Sequence, residues 1–377
     1  MEYKYTLHEN YEDFASGRVI YHMGGLATFP VRLTLELYER CLQYCEKKKD
    51  LCLYDCCCGG AYMLTVLGLA RNDTLAELYG SDVDPASIKL AKDNMRLLTK
   101  QGLEKRRAEL ESLYQEYRKE SHLQALHSME RLEKLLQGEP KTDIFERDAL
   151  RISDLPFIPD IILTDVPYGN LASWNEDRGG ATSLLEALSG VCSRDTVIGI
   201  CMDKKQKIKT EIYQRLEKQI LGKRKFELYK KRIFGTLTCA REYEKQGRLA
   251  DWVQLFLRGD GKNIPLADGL AENNFRFARL VPIRLTDLNV AGGVPEYITE
   301  PNDITWFHQE IDTMVSAIRE GWDMPPMIVH YHDGIYEPFD GRHRNAALRK
   351  LGREEAMAAV AVNTEKDYNA FLGEGGR

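Results

Sequence analysis

The sequence predicts an α/β protein, with a doubly wound parallel sheet over its first two thirds and a smaller α+β module after it. Three observations carry this reading. The apolar run LCLYD at 51–55 ends in an acid and passes into a Cys/Gly turn and an apolar helical pattern. A second apolar run ends at Asp82, about 27 residues after Asp55, near the spacing of a nucleotide-binding fingerprint. A third, DIIL at 160–163, delivers Asp165-Val166-Pro167-Tyr168. Strand and helix patterns alternate between these runs, as parallel strands joined by right-handed crossovers require.

Taken in order, residues 31–45 repeat apolar side chains at helical spacing and predict a helix near the sheet edge. Strand 51–55, helix 61–70, strand 76–81 and helix 85–98 follow. Asp84 suits the N-cap of the last helix, with Pro85 at its first position. Residues 99–138 break the rhythm with eight basic and seven acidic side chains along a leucine-rich seam. They read as an inserted helical hairpin turning near 119–121, either a salt-bridged packing element or an arm for a large substrate. Strands resume at 142–146, 160–165 and 195–201, and a pair at about 224–236 and 250–258 is expected to close the sheet. This makes 1–258 one domain, the Gly/Asn/Asp-rich 259–274 a linker, and 275–377 a second domain. There the pattern gives a strand at 277–285, a helix at 303–320, strands at 326–331 and 335–339 around the turn HDG, and then DGRHRNAALRKLG.

At 377 residues and a net charge of −6, any nucleic-acid contact must come from a local patch. Residues 201–235 supply one, with twelve Lys or Arg against four acids. No apolar run reaches membrane-spanning length and the N-terminus lacks a signal-peptide core, so a cytoplasmic protein is expected. All nine cysteines precede residue 240, and six crowd into 41–58. Their C-x3-C and CCC spacings lack C-x2-C pairs or a nearby His, so reduced thiols around a buried strand are expected and no metal.

The motif residues sort by chemistry. Gly59 and Gly60 follow Asp55 where missing side chains let a backbone approach a nucleoside cofactor. Asp82 is placed to accept from ribose hydroxyls and Asp148 from an adenine amine. Asp165 would accept from a planar substrate nitrogen, and Tyr168, after Pro167, would stack on a flipped base. With an activated methyl donor, alignment supplies much of the rate. The combination reads as a Rossmann-like S-adenosylmethionine (SAM) methyltransferase sheet.

Residues 1 to about 258 resemble the AviRa-type 23S rRNA methyltransferases, a family associated with orthosomycin resistance. The likeness rests on TFPVRLTLELYERCL at 28–42, YDCCCGGAYMLTVLGL at 54–69, SDVDPASIKLAKDN at 81–94, GLEKRRAEL at 102–110, LTDVPYG at 163–169 and DKKQKI at 203–208. It implies a class I methyltransferase domain, SAM as cofactor, and a guanosine base of 23S rRNA, in RNA or the large ribosomal subunit, as substrate. The family's turn reads closer to DPCCGSG. Here Cys56, Gly60 and Ala61 take the Pro, Ser and last Gly positions, and Ala61 is expected to narrow the cofactor pocket. FDGRHRNAALRKLG at 339–352 resembles a ParB/sulfiredoxin-type turn. That implies a phosphate or nucleotide cradle at Asp340, Gly341, Arg342, His343 and Arg344, with Asp340 assisting an ion or holding the turn. The cysteine of sulfiredoxin chemistry is absent, since Arg342 occupies its place. His330 and His332 share a strand face and with His343 form a conceivable metal set, but partly exposed strand histidines fit better. A DNA amino-methyltransferase, an enzyme modifying a nucleotide or small molecule, and a non-catalytic binder remain open as alternatives.

Overall fold

In a computed structural model the structure describes residues 2–26, 28–166, 180–290, 294–295 and 298–374. The chain divides into two compact units, Met1–Arg232 and Ile233–Arg377.

In the first unit, strands β1 (Leu51–Asp55), β2 (Leu75–Asp82), β3 (Lys141–Glu146), β4 (Ile161–Asp165), β5 (Val197–Asp203), β6 (Tyr213–Leu221) and β7 (Arg224–Lys231) form one sheet in the order β3-β2-β1-β4-β5-β7-β6. The strands from β3 to β5 pair in parallel, and the β6–β7 hairpin joins β5 antiparallel through β7. Strand order reverses between β1 and β4, so their carboxyl ends flank a topological switch point where a ligand crevice opens.

Alternation along β1 explains the layering. Leu51 and Leu53 face one apolar cluster, while Cys52 and Tyr54 face the other. The first cluster packs α1 (Val31–Tyr44), α2 (Tyr62–Ala70), α3 (Pro85–Arg96), α4 (Lys100–Tyr117) and α5 (Glu120–Leu135) on one face. The second packs α6 (Gly180–Leu188) on the other. α1 lies against β4 and β5 at the sheet's centre rather than its edge, because Leu33, Leu37 and Cys41 are all core residues. Its fully buried Glu36 accepts from the amides of Lys4, Tyr5 and Thr6 at 2.8, 2.9 and 3.1 Å and from Arg40 Nε at 2.8 Å. The N-terminal strand of chain is thereby tied to α1.

The insert is the expected hairpin, turning at Arg118 (φ +48°) and Lys119. Arg106 of α4 is buried and donates to the carbonyls of Val19 (2.9 Å) and Arg18 (3.2 Å), while Arg131 of α5 pairs with Asp13 at 2.6 Å. Asn94 continues the chain of contacts: its Oδ1 accepts from Tyr21 N and its Nδ2 donates to Gly60 O, each at 2.8 Å. The base of the hairpin therefore holds residues 13–19, and Asn94 of α3 ties Tyr21 to the turn after β1, so the hairpin has a packing role.

The second unit carries β8 (Arg276–Arg284), β9 (Met327–His332), β10 (Ile335–Asp340) and β11 (Glu355–Val362) in the order β10-β9-β11-β8. Its helices are α7 (Leu237–Lys245), α8 (Leu249–Arg258), α9 (Ile264–Glu272), α10 (Pro301–Arg319), α11 (Arg342–Lys350) and α12 (Glu365–Glu374). The strand expected at 250–258 is helix α8: Leu249, Trp252, Val253, Phe256 and Leu257 recur at i, i+3, i+4, i+7 and i+8 and are all buried. The stretch read as a linker contains α9, capped by Asn263 accepting from Leu266 N at 3.2 Å. Both helices pack with Leu280, Ile328 and Ala359 of the second sheet. Strand β11 and helix α12 were not anticipated, since EAMAAVAV is nearly all small residues that fit either period.

Candidate active site

The carboxyl ends of β1, β2 and β4 bring three of the motif acids to one end of the sheet. Asp55 is 2% exposed, and its Oδ1 accepts from Cys57 N at 3.1 Å. Burial pushes its carboxyl up to about 7; the Thr164 hydroxyl and the Cys57 amide oppose that rise, and the charges of Asp82 and Asp165 add to it. Asp82 bridges the turns, accepting from Gly59 N at 2.8 Å through Oδ2 and from Asp84 N at 3.1 Å through Oδ1. Asp84 caps α3 as expected, accepting from Ser87 N at 2.9 Å.

Gly59 holds φ +51°, and a Cβ built there meets nothing within 4 Å, so the turn keeps open space on that side. Gly60 is small for another reason: a Cβ would lie 2.6 Å from Leu90 Cδ2. Ala61 takes the left-handed conformation at φ +54° as N-cap of α2, and its methyl joins the core cluster rather than narrowing a pocket. Among the neighbouring thiols, the Cys56 contact and burial push Cys57 well up, and burial does the same for Cys58. Both stay protonated at neutral pH. Asp148 caps the short 3-10 turn Ala149–Arg151, its Oδ1 accepting from Leu150 N at 2.9 Å.

Asp165 ends β4 beside Cys201 of β5. Burial pushes its carboxyl up to about 6, held back by Arg224, whose Nη1 is 3.9 Å from Oδ2, and by a hydrogen bond from the Cys201 thiol. Its Oδ1 is buried without a hydrogen-bond partner among the described residues. Pro167, Tyr168 and Trp174 lie outside the described residues. In the sequence Arg224 is one charge of the basic run; the Gly222 turn (φ +59°), which folds β7 back along β6, is the local signal for its position at the start of a strand.

A family model for the AviRa rRNA methyltransferases matches residues 1–224. The 23S rRNA (guanine(2535)-N(1))-methyltransferase of Streptomyces viridochromogenes is 33% identical over 222 residues, covering 56% of this chain and 88% of that protein. The chain belongs to the AviRa family. Two solved structures of AviRa from S. viridochromogenes superpose with TM-scores of 0.55 and 0.54 at 30% and 31% identity, each covering 59% of this chain and 94% and 93% of theirs. This protein is accordingly an RNA methyltransferase with the family's α/β sheet. Relative to the AviRa match, it carries an additional module: a ParB N-terminal domain model matches residues 298–375.

In the AviRa-type unit the basic run splits in two. Lys225 is buried against Glu227 at 2.7 Å, Lys231 donates to Cys192 O at 2.8 Å, and Lys230 lies 3.7 Å from Asp195. These charges belong to the fold. Lys204, Lys205, Lys207 and Lys209 are exposed on the segment directly after β5, at the same sheet end as Asp165. No helix among the described residues is long and apolar enough to cross a membrane.

In the ParB-like unit the DGRHR turn departs from the expected phosphate cradle. Arg344 is 5% exposed and turned inward; its Nη1 donates to the carbonyls of Pro325 and Pro326 at 2.9 Å each, and its Nη2 pairs with Asp340. One helical turn separates the two partners, so a buried Asp340–Arg344 pair forms within the motif itself. Asp340 thus holds the turn. His343 lies among α10 aromatics, its ring 4.5 Å from Phe307, and burial lowers its pKa, so it is a neutral and poor phosphate partner. Gly341 holds φ +109°, with Met327 Cγ 2.6 Å from where a Cβ would stand. His330 stacks on Phe339, and His332 Nδ1 lies 2.8 Å from Asp367 Oδ2. His330 and His332 share a face of β9 as expected, with ring centroids 5.8 Å apart, but among the described residues the three histidines form no common ligand group. His332, Asp333 and Asp367 do group closely, but Lys366 Nζ takes Asp333 Oδ1 at 2.6 Å.

Proposed function

We propose that the 1–232 unit transfers a methyl group from SAM to N1 of a guanosine in 23S rRNA, with Asp165 as the proton acceptor. The observation that carries this is Asp165 itself: a half-buried carboxylate whose Oδ1 is buried without a hydrogen-bond partner among the described residues, at the sheet end shared with the Gly59 turn. The residues suit the cofactor. Open space beside Gly59 would admit its methionine part past Gly60, Asp82 would receive the ribose hydroxyls and Asp148 the adenine amine. Three carboxylates, Asp55, Asp82 and Asp165, suit the positive charge of a sulfonium. When bound, SAM supplies a methyl already activated on that sulfonium.

The chain's part is alignment and proton acceptance. Guanine N1–H donates to Asp165 Oδ1, which takes the proton as the methyl reaches N1. A carboxyl held up to about 6 stays ionised at neutral pH and is a better base than an ordinary Asp. Tyr168, which follows Pro167 in the motif, would stack on the extruded base, and Lys204, Lys205, Lys207 and Lys209 would receive flanking phosphates. In the ParB-like unit, any phosphate or nucleotide would be met by Arg342 and the first amides of α11 and not by the inward-turned Arg344.

The test incubates the protein with radiolabelled SAM and, in parallel, large ribosomal subunits, naked 23S rRNA and duplex DNA. Label is expected at guanine N1 in the rRNA samples and absent with Asp165→Ala. Label in duplex DNA alone would transfer the reading to a DNA methyltransferase.

A further inference from the structure

The Asp165 carboxylate sits in a difficult place. Asp55 lies at the end of the adjacent strand β1 and is itself faced by Asp82 from β2, while β5 contributes the Cys201 thiol. Asp55 thus shares this half-buried strand end with Asp165, where like charges repel, while the neutral Cys201 thiol hydrogen-bonds the Asp165 carboxyl and favours its ionised form. The opposing positive charge comes from β7. Arg224 is the first residue of that strand, in register with Asp203, two positions beyond Cys201, so its side chain reaches back across the end of β5. Its guanidinium lies 5.4 Å above the Phe29 ring, just before α1, and its Nη1 stands 3.9 Å from Asp165 Oδ2. Phe29 is itself buried, so the guanidinium has an aromatic floor on one side and a carboxylate on another.

We propose that Arg224 is a positioning residue for methyl transfer: it keeps the Asp165 carboxylate ionised and engages Oδ2, leaving Oδ1 free to accept from the substrate base. This rests on the reading of Asp165 as proton acceptor. Arg224 touches neither the methyl nor the guanine; it acts through the oxygen it holds. The rest of the basic run acts differently, through phosphates or through the fold.

Single-turnover methylation of 23S rRNA is followed from pH 5.5 to 8.5 for wild type, Arg224→Gln and Arg224→Lys. With Arg224→Gln the acid limb of the profile is expected to move up by about one pH unit, a roughly tenfold loss at pH 5.5 with less than about twofold above pH 8. Arg224→Lys restores most of the limb. A second readout needs no methyl transfer: urea unfolding of wild type, Arg224→Gln, Asp165→Asn and the double variant at pH 5 and 8. Coupling between the two positions is expected at pH 8 and its disappearance at pH 5. An unmoved acid limb, with rRNA affinity lowered equally at every pH, would make Arg224 a phosphate contact and overturn the proposal. So would unfolding effects that simply add at both pH values. Wild type that transfers no methyl to rRNA would sink the functional reading alone, and the unfolding cycle would still decide whether Arg224 controls Asp165.

Discussion

Asp55 and Asp165 tie the chemistry of the site to its stability. Both carboxyls are held above the ordinary Asp value by burial, at about 7 and about 6. A folded state that binds protons more tightly than the unfolded chain loses stability as pH rises through the interval between the two pKa values. For Asp55 that interval runs from about 4 to about 7, so the native protein is expected to be less stable at pH 8 than at pH 5. Asp55→Asn should remove a pH-dependent difference on the order of 2–3 kcal/mol, read from urea unfolding at the two pH values. A slope unchanged in Asp55→Asn would mean that this carboxyl ionises normally. Positions 55 and 165 were visible in the sequence because an acid closing an apolar run before a turn marks a strand end. Their environment was not, since Asp55 is faced by Thr164 and Asp165 of β4, and Asp165 by Cys201 of β5 and Arg224 of β7, all of which arrive later in the chain. The same limit shows at Arg344. An arginine in DGRHR looks like a phosphate ligand until the i, i+4 partner Asp340 and two proline carbonyls are seen around it. Arg344→Ala is expected to cost about 3–5 kcal/mol by leaving Asp340 without its partner, where a surface phosphate ligand would cost under 1. Thermal unfolding of the full chain separates the two.

The basic run shows how an element redistributes charges that the sequence presents as one block. A β-strand sends alternate residues to opposite faces, so Lys225 and Glu227 share one face of β7 and pair in the core, while Arg224 faces the other way toward Phe29 and Asp165. The lysines on the segment after β5 are left to meet solvent. Replacing Lys204, Lys205, Lys207 and Lys209 together by Gln should leave stability nearly unchanged and weaken rRNA binding. The slope of log affinity against log salt should fall by up to about three. Filter binding at 50–300 mM salt measures it, and an unchanged slope would place the RNA elsewhere. Elements of strong period were readable in advance: β1, β2, β4 and the hairpin at 100–135 all carried it. The 250–258 segment carried a helical period too, but the expectation that the sheet needed a closing strand outweighed the spacing of Leu249, Trp252, Val253 and Phe256.

At the scale of the whole molecule, the apolar clusters formed by the described residues sort by unit: two are built wholly within 1–232 and three wholly within 233–377. The division at 232 is sharper than the composition change near 258 that first suggests a boundary. Phe234 and Gly235 donate their amides to Asp260 Oδ2, both at 2.7 Å, and Trp252 Nε1 donates to Phe234 O at 2.8 Å. Residues 233–260 are therefore bound into one another and, through Trp252, Phe256 and Leu257, into the core that β8 and β9 complete. Two truncations test this directly. A fragment ending at Arg232 keeps β7 and both of its clusters, and is expected to be soluble, to unfold cooperatively in urea and to methylate 23S rRNA. A fragment ending at Arg258 keeps α7 and α8 without the strands that cover them. Burying Trp252, Phe256 and Leu257 stabilises by roughly 1.5–3 kcal/mol for each large side chain, all of which is forfeited when their partners are removed. The longer fragment should therefore bind a hydrophobic dye and aggregate where the shorter one does not. The reverse order of behaviour would move the boundary back to 258 and make α7 and α8 part of the methyltransferase.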